Sequence, residues 1–162
     1  MENYNLIEIG WEGPFDLEEV KSFNKREDYG VYQIYGTHNI FGTDSLLYIG
    51  KANQQNFATR LLQHEWWLNT EYSEIKLFIG RIGGTKDIDF NDWELRIDLA
   101  EKLLIFYCSP PYNTQNINGY GEIEHHTIVL NLGKKNKIPL EVSTLWEESP
   151  YWGHEWEYYK SK

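Results

Sequence analysis

The chain has 162 residues, about the size of one ordinary domain, and its 41% hydrophobic and 16% aromatic content supplies enough apolar material for one core. Its formal charge of −10 argues against a protein that coats nucleic acid nonspecifically, because that binding depends largely on Lys and Arg displacing counterions from phosphate. No run of roughly 18 apolar residues is present to cross a membrane, and the acidic start Met1-Glu2-Asn3 lacks a signal peptide's basic and apolar stretches, so a cytoplasmic protein with no membrane partner is expected.

The charge is unevenly placed. Residues 1–28 hold 8 acids against 3 bases, and residues 141–162 hold 5 against 2. From Ser45 to His64 there is no acid at all, whereas Lys51 and Arg60 are both present. A local electropositive site inside an acidic protein is therefore compatible with the composition. Cys108 is the single cysteine, so neither an internal disulfide nor a thiolate zinc site can form, and a reducing compartment suits the chain.

One domain is expected over residues 1–162, because no repeat, low-complexity segment or linker divides the chain. Asn5 to Trp11 alternates loosely enough to predict a strand, which Gly13-Pro14 breaks before Asp16 caps a short helix to about Phe23. Residues 1–28 read as an N-terminal extension. Tyr29 to Tyr35 and Leu46 to Gly50 are β-branched and aromatic runs joined by a polar loop, which predicts two antiparallel strands. Phe57 to Leu68 carries a near-helical apolar stripe, and Arg60, His64 and Trp67 fall at i, i+4 and i+7 on a neighbouring face, so Arg60 and His64 can point to one place. Ile75 to Ile82 predicts a third strand, Gly83-Gly84 ends it, and Asn91 or Asp92 is placed to cap a helix reaching about Tyr107. Pro110-Pro111 stops that helix. Residues 114–162 read as a C-terminal part in which Thr127 to Leu132 and Ile138 to Val142 form a hairpin. The tail beyond it carries Trp146, Trp152 and Trp156 among acids, as core cover or a partner surface.

Glu101 is the carboxylate that raises a question, since Ile97, Leu104 and Ile105, at i−4, i+3 and i+4, are all apolar and a free charge there is costly. A structural salt bridge, a metal or acid-base role, and an exposed edge position are each compatible with that spacing. Asp98 and Lys102, one turn apart in the favourable acid-before-base order, read as the helix's solvated side. His125-His126 with Glu122 and Glu124 make a weak metal set, because adjacent strand residues point to opposite faces. Lys134, Lys135 and Lys137 read as a solvated hairpin tip, or as contacts to a nucleic-acid backbone.

Taken in order, Gly30-Val31-Tyr32, Tyr48-Ile49-Gly50 with Lys51, Arg60 and His64, Glu101, and Pro111-Tyr112-Asn113 resemble the signature of the GIY-YIG nucleases, over roughly residues 29–113. The resemblance implies an α+β fold, a small antiparallel sheet of three core strands flanked by helices, carrying N- and C-terminal additions. It also implies a metal-dependent endonuclease that hydrolyses DNA phosphodiester bonds. Tyr32 and Tyr48 would face the scissile phosphate, Arg60 would hold its oxygens, Glu101 would bind one Mg²⁺ or Mn²⁺ ion, Asn113 would brace the site, and His64 occupies a position that is histidine in some restriction-type members. Val31 stands at the centre of the first tripeptide, and the stretch from Gln33 to Leu47 exceeds the family's usual spacer. A guanidinium binds two phosphate oxygens at once and stays charged, which suits Arg60 to the clamp. Tyr32, with a phenol pKa near 10 when unperturbed, needs a nearby cation to act as a base, and Lys51 is the candidate. The alternative function is a non-catalytic nucleic-acid- or protein-binding module that retains the fold.

Overall fold

Strand β1 (Asn5–Phe15) turns Ile7, Ile9 and Trp11 to a buried face and Glu8, Gly10 and Glu12 outward, the period of two that a pleated strand imposes. The computed structural model describes residues 4–64, 74–83 and 90–146. In chain order the elements after β1 are helix α1 (Leu17–Val20), strands β2 (Gly30–His38) and β3 (Gly42–Ala52), helix α2 (Phe57–Leu62), strand β4 (Lys76–Ile82), helix α3 (Phe90–Cys108), and strands β5 (Thr127–Gly133) and β6 (Glu141–Ser143). A single 3₁₀ turn, Thr144–Trp146, follows.

The six strands form one sheet in the order β3-β2-β4-β1-β5-β6. Neighbours pair antiparallel except β1 and β5, which run parallel from Asn5 opposite Thr127 to Trp11 opposite Gly133. This overturns the expected fold, a small antiparallel sheet of three core strands with peripheral additions. Strand β1 lies inside the sheet, between β4 and β5. The physical reason is long-range. A parallel neighbour needs a crossover connection, here supplied by most of the chain, and an alternating pattern specifies a strand without specifying its neighbour.

Helices cover both faces of the sheet. On one, Ile97, Ala100, Leu103 and Leu104 of α3 pack with Ile7, Ile9, Val31 and Ile49. On the other, Val20 of α1 and Phe57 and Leu61 of α2 pack with Tyr32, Ile34, Leu77 and Ile79. Strand β2 is consequently buried without alternation from Gly30 to Gly36, as a strand covered on both sides must be.

Several boundaries differ from the sequence reading. Strand β1 continues through Gly13-Pro14 with a register shift between Glu12 and Phe15. Asp16 caps α1 as expected, with its carboxylate on Glu19 N–H and the Glu19 side chain returning to Asp16 N–H, but the helix ends at Val20. Helix α2 ends at Leu62, with Gln63 and His64 in the turn beyond it. Helix α3 is already formed at Phe90, and Ile138 is buried outside any strand. Trp67, Leu68, Trp152 and Trp156 lie outside the described residues. Among the described residues, no helix is long and apolar enough to cross a membrane.

Candidate active site

The register of β2 and β3 fixes which side chains can meet. Tyr32 lies opposite Gly50, and Ile34 opposite Tyr48, so both tyrosines point to the α2 face. Their ring centroids are 6.2 Å apart. Gly50 makes room for this pair. A Cβ there would sit 2.5 Å from Tyr32 Cζ and 2.7 Å from Tyr48 Cε1, so any side chain would push the phenol of Tyr32 off the strand it crosses. Gly30 has φ +152°, and a Cβ there would collide with the carbonyl oxygen of Gly80 in β4. The glycines of both tripeptides thus serve close approach between strands.

Helix α2 brings the basic groups to the tyrosines. Its N-cap Asn56 accepts from Thr59 N–H at 2.9 Å, and the N–H of Phe57 donates to Asp28 O at 2.8 Å. The Asp28 carboxylate is buried and receives Arg81 Nη2 at 2.6 Å, which anchors this junction to β4. From that fixed start, Arg60 and His64 fall beside the sheet. His64 Nε2 is 2.8 Å from Tyr32 Oη, and the His64 and Tyr48 ring centroids are 5.3 Å apart. Arg60 is half-buried, donates to Gln63 Oε1 at 2.7 Å, and lines a cleft of about 230 Å³ with Lys51, Ala52, Asn53, Gln54 and Gln55.

These positions set the ionisation. Burial pushes the Tyr32 phenol well above its ordinary range, Tyr48 adds to this, and Arg60 recovers only part. Burial, then the Arg60 charge, lowers the pKa of His64. The imidazole is therefore neutral at pH 7, and in the tautomer that carries its proton on Nδ1 its Nε2 accepts from the Tyr32 phenol. Burial and the field of Glu101 also raise Tyr48.

Glu101 reaches the same place from the other face. It is buried on α3, and its Oε2 lies 3.0 Å from Lys51 Nζ. Lys51 also bonds Asp98 Oδ1, and Asp98 Oδ2 receives Lys102 Nζ at 2.7 Å. The expectation that Lys51 serves the Tyr32 phenol runs against the pleat: Lys51 lies opposite Val31, one residue on from the Tyr32–Gly50 pair, and so faces α3. The cation in the field of the phenol is Arg60. Asp98, read from spacing as simply solvated, is half-buried and belongs to this cluster. No local signal marks it, because an i, i+4 pair with Lys102 looks the same on any wet helix.

Asn113 braces the arrangement. Its Oδ1 accepts from Ile49 N–H at 3.0 Å and its Nδ2 donates to Ile49 O at 2.8 Å, while Tyr112 N–H donates to Leu47 O at 3.0 Å. Strand β3 ends the strand order, so these bonds satisfy backbone groups that have no neighbouring strand. Tyr32, Tyr48, Lys51, Arg60, His64, Glu101 and Asn113 thus gather around Gly50 at one sheet edge. The remaining candidates do not join them. His126 is 3.5 Å from Thr144 Oγ1, His125 is 4.0 Å from Glu124, and Lys137 pairs with Asp44 at 2.9 Å.

A divalent cation fits this donor set in one way. Among the described residues no three His, Cys, Asp or Glu side chains come together, so Glu101 would be the direct protein ligand. Burial, with the neighbouring Asp98 charge, raises the Glu101 carboxyl against the lowering by Lys51 and Arg60. Magnesium is commonly held by one or two carboxylates together with waters and substrate phosphate, so an ion on Glu101 would take its remaining ligands from water and substrate. No family model, curated protein or solved structure matches the chain.

Proposed function

We propose that this protein is a metal-dependent endonuclease of the GIY-YIG kind, hydrolysing DNA phosphodiester bonds in the cytoplasm. The observation that carries the reading is the meeting of the Tyr32–His64 hydrogen bond, Tyr48, Arg60 and Glu101 around Gly50, with an acid-free stretch of chain forming the cleft beside them. Residues far apart in sequence supply a proton acceptor, a phosphate clamp and a carboxylate, the three parts that hydrolysis of a phosphodiester asks for.

Arg60 binds two non-bridging oxygens of the scissile phosphate through its planar fork. Attack then needs a base. Tyr32 alone is a poor one, because burial keeps its proton on, but its phenol can pass that proton to neutral His64 Nε2 while taking one from the attacking water. The hydroxide oxygen bonds to phosphorus as the bond to the leaving sugar oxygen breaks, and that oxygen takes up a proton from solvent. Tyr48 walls the other side of this proton path. Mg²⁺ or Mn²⁺, held by Glu101 with water and substrate, would supply positive charge to the phosphate and the leaving oxygen. Lone Cys108 has no part in this, and burial pushes its thiol up to about 12.

The test uses supercoiled plasmid and branched DNA with Mg²⁺ or Mn²⁺. The wild type should cleave, chelation should stop it, and Arg60→Ala should lower kcat by about a hundredfold to a thousandfold while the protein keeps its fold. A wild type that binds DNA yet cleaves neither substrate with either metal would leave the binding-module reading in its place.

A further inference from the structure

Four alternating charges run along one wall of the site: Lys102, Asp98, Lys51 and Glu101. Three of them stand on α3 at i, i+3 and i+4, so the helix backbone fixes their spacing. Only Lys51 comes from the sheet, at the end of a flexible four-carbon stem. In a water-filled cleft such a side chain samples many rotamers unless its ammonium is tied.

Lys51 is tied twice. Its ammonium has three N–H donors, of which one goes to Asp98 and one to Glu101, and it lines the cleft that Arg60 also lines. Asp98 can spare an oxygen for this because Lys102 occupies only its Oδ2. With Glu101 as sole partner, Lys51 would neutralise the one carboxylate the site keeps for a cation, and a cation arriving there would strand the ammonium. The second carboxylate resolves that conflict. Asp98 takes no part in either apolar cluster, and its carboxylate pairs with the two lysines.

Building on the nuclease reading, we propose that Asp98 is a positioning residue: it holds the Lys51 ammonium on the cleft wall beside Glu101. It acts through Lys51 and does not itself contact substrate. Asp98→Asn keeps the shape and an acceptor oxygen but removes the charge, and Asp98→Glu returns the charge on a longer stem.

Two measurements on the full chain test this. In the first, metal-free protein is treated with an amine-acylating reagent, and modification of each lysine is followed by mass spectrometry. Lys51 should react several-fold faster in Asp98→Asn than in wild type, Asp98→Glu should restore most of the protection, and Lys134, in the turn after β5, should not change. In the second, cleavage at saturating Mg²⁺ should show kcat lowered by about tenfold to a hundredfold in Asp98→Asn with KM little changed, and partial recovery in Asp98→Glu. Should Asp98→Asn fail to fold by circular dichroism, Asp98→Ser takes its place in both arms. Equal Lys51 modification in wild type and Asp98→Asn overturns the proposal, and so does an unchanged kcat. A wild type that cleaves no DNA refutes the nuclease reading instead, and the acylation arm still decides whether Asp98 holds Lys51.

Discussion

Gly50 governs the site at the scale of single residues, because the Tyr32 phenol crosses β3 only where a side chain is missing. Gly50→Ala should therefore displace Tyr32 from His64, at a cost of about 1–3 kcal/mol for overpacking. Loss of cleavage with the fold retained would be the expected result, and wild-type kcat in Gly50→Ala would contradict the geometry. His64 sets a second prediction. In the proposed reaction it must be neutral to accept the Tyr32 proton, and burial and Arg60 favour the neutral form, so kcat/KM should fall on the acid side with a midpoint below the usual imidazole value. The same shift acts on stability. The unfolded chain binds this proton more readily, so the contribution of His64 is present above the ordinary histidine pKa and is lost as pH falls through the depressed folded value. The residual cleavage by His64→Ala, followed against pH, should lack that limb. The tyrosines, Arg60, His64 and Glu101 were legible from their order along the chain. The partner of Lys51 was not, because the choice between Tyr32 and Glu101 turns on strand register, and Asp98 was hidden by its ordinary pairing with Lys102.

Elements matter here chiefly through their junctions. The start of α2 is fixed at Asp28, whose buried carboxylate takes two hydrogen bonds from half-buried Arg81, while Arg81 also pairs with Glu12. Asp28→Ala removes charge-assisted hydrogen bonds but leaves Arg81 with Glu12, and should cost about 1.5–3 kcal/mol in urea denaturation; a loss under 1 kcal/mol would show that α2 is held by its apolar face alone. Asn113 plays the corresponding part for β3. Asn113→Ala leaves the N–H and C=O of Ile49 unsatisfied at a buried position and should destabilise by about 1–3 kcal/mol. Most elements were legible because their apolar periods are strong: Ile7, Ile9 and Trp11 alternate, and Ile97, Leu104 and their neighbours recur at helical spacing. Strand β1 running through Gly13-Pro14 was not, since that dipeptide ordinarily ends a strand.

Over the whole molecule, the six-stranded mixed sheet is what one-dimensional patterning could not reveal. The pairing of Asn5–Trp11 with Thr127–Gly133 joins two segments far apart in the chain that share no local signal. The sheet carries the site at its β3 edge, with α2 and α3 on opposite faces delivering Arg60 and His64 from one side and Glu101 from the other. Residues Lys51 to Arg60 include no acid, but Lys51 is paired with Asp98 and Glu101, so Arg60 is the cleft cation through which an acidic protein would meet a polyanion. The central claim is that Glu101 serves catalysis and not DNA affinity. The direct measurement sets wild type beside Glu101→Gln in parallel Mg²⁺-dependent cleavage and gel-shift assays. Cleavage should vanish in the variant while DNA binding is kept or tightens, since a carboxylate that repels phosphate is gone; equal cleavage by the two proteins would contradict the mechanism.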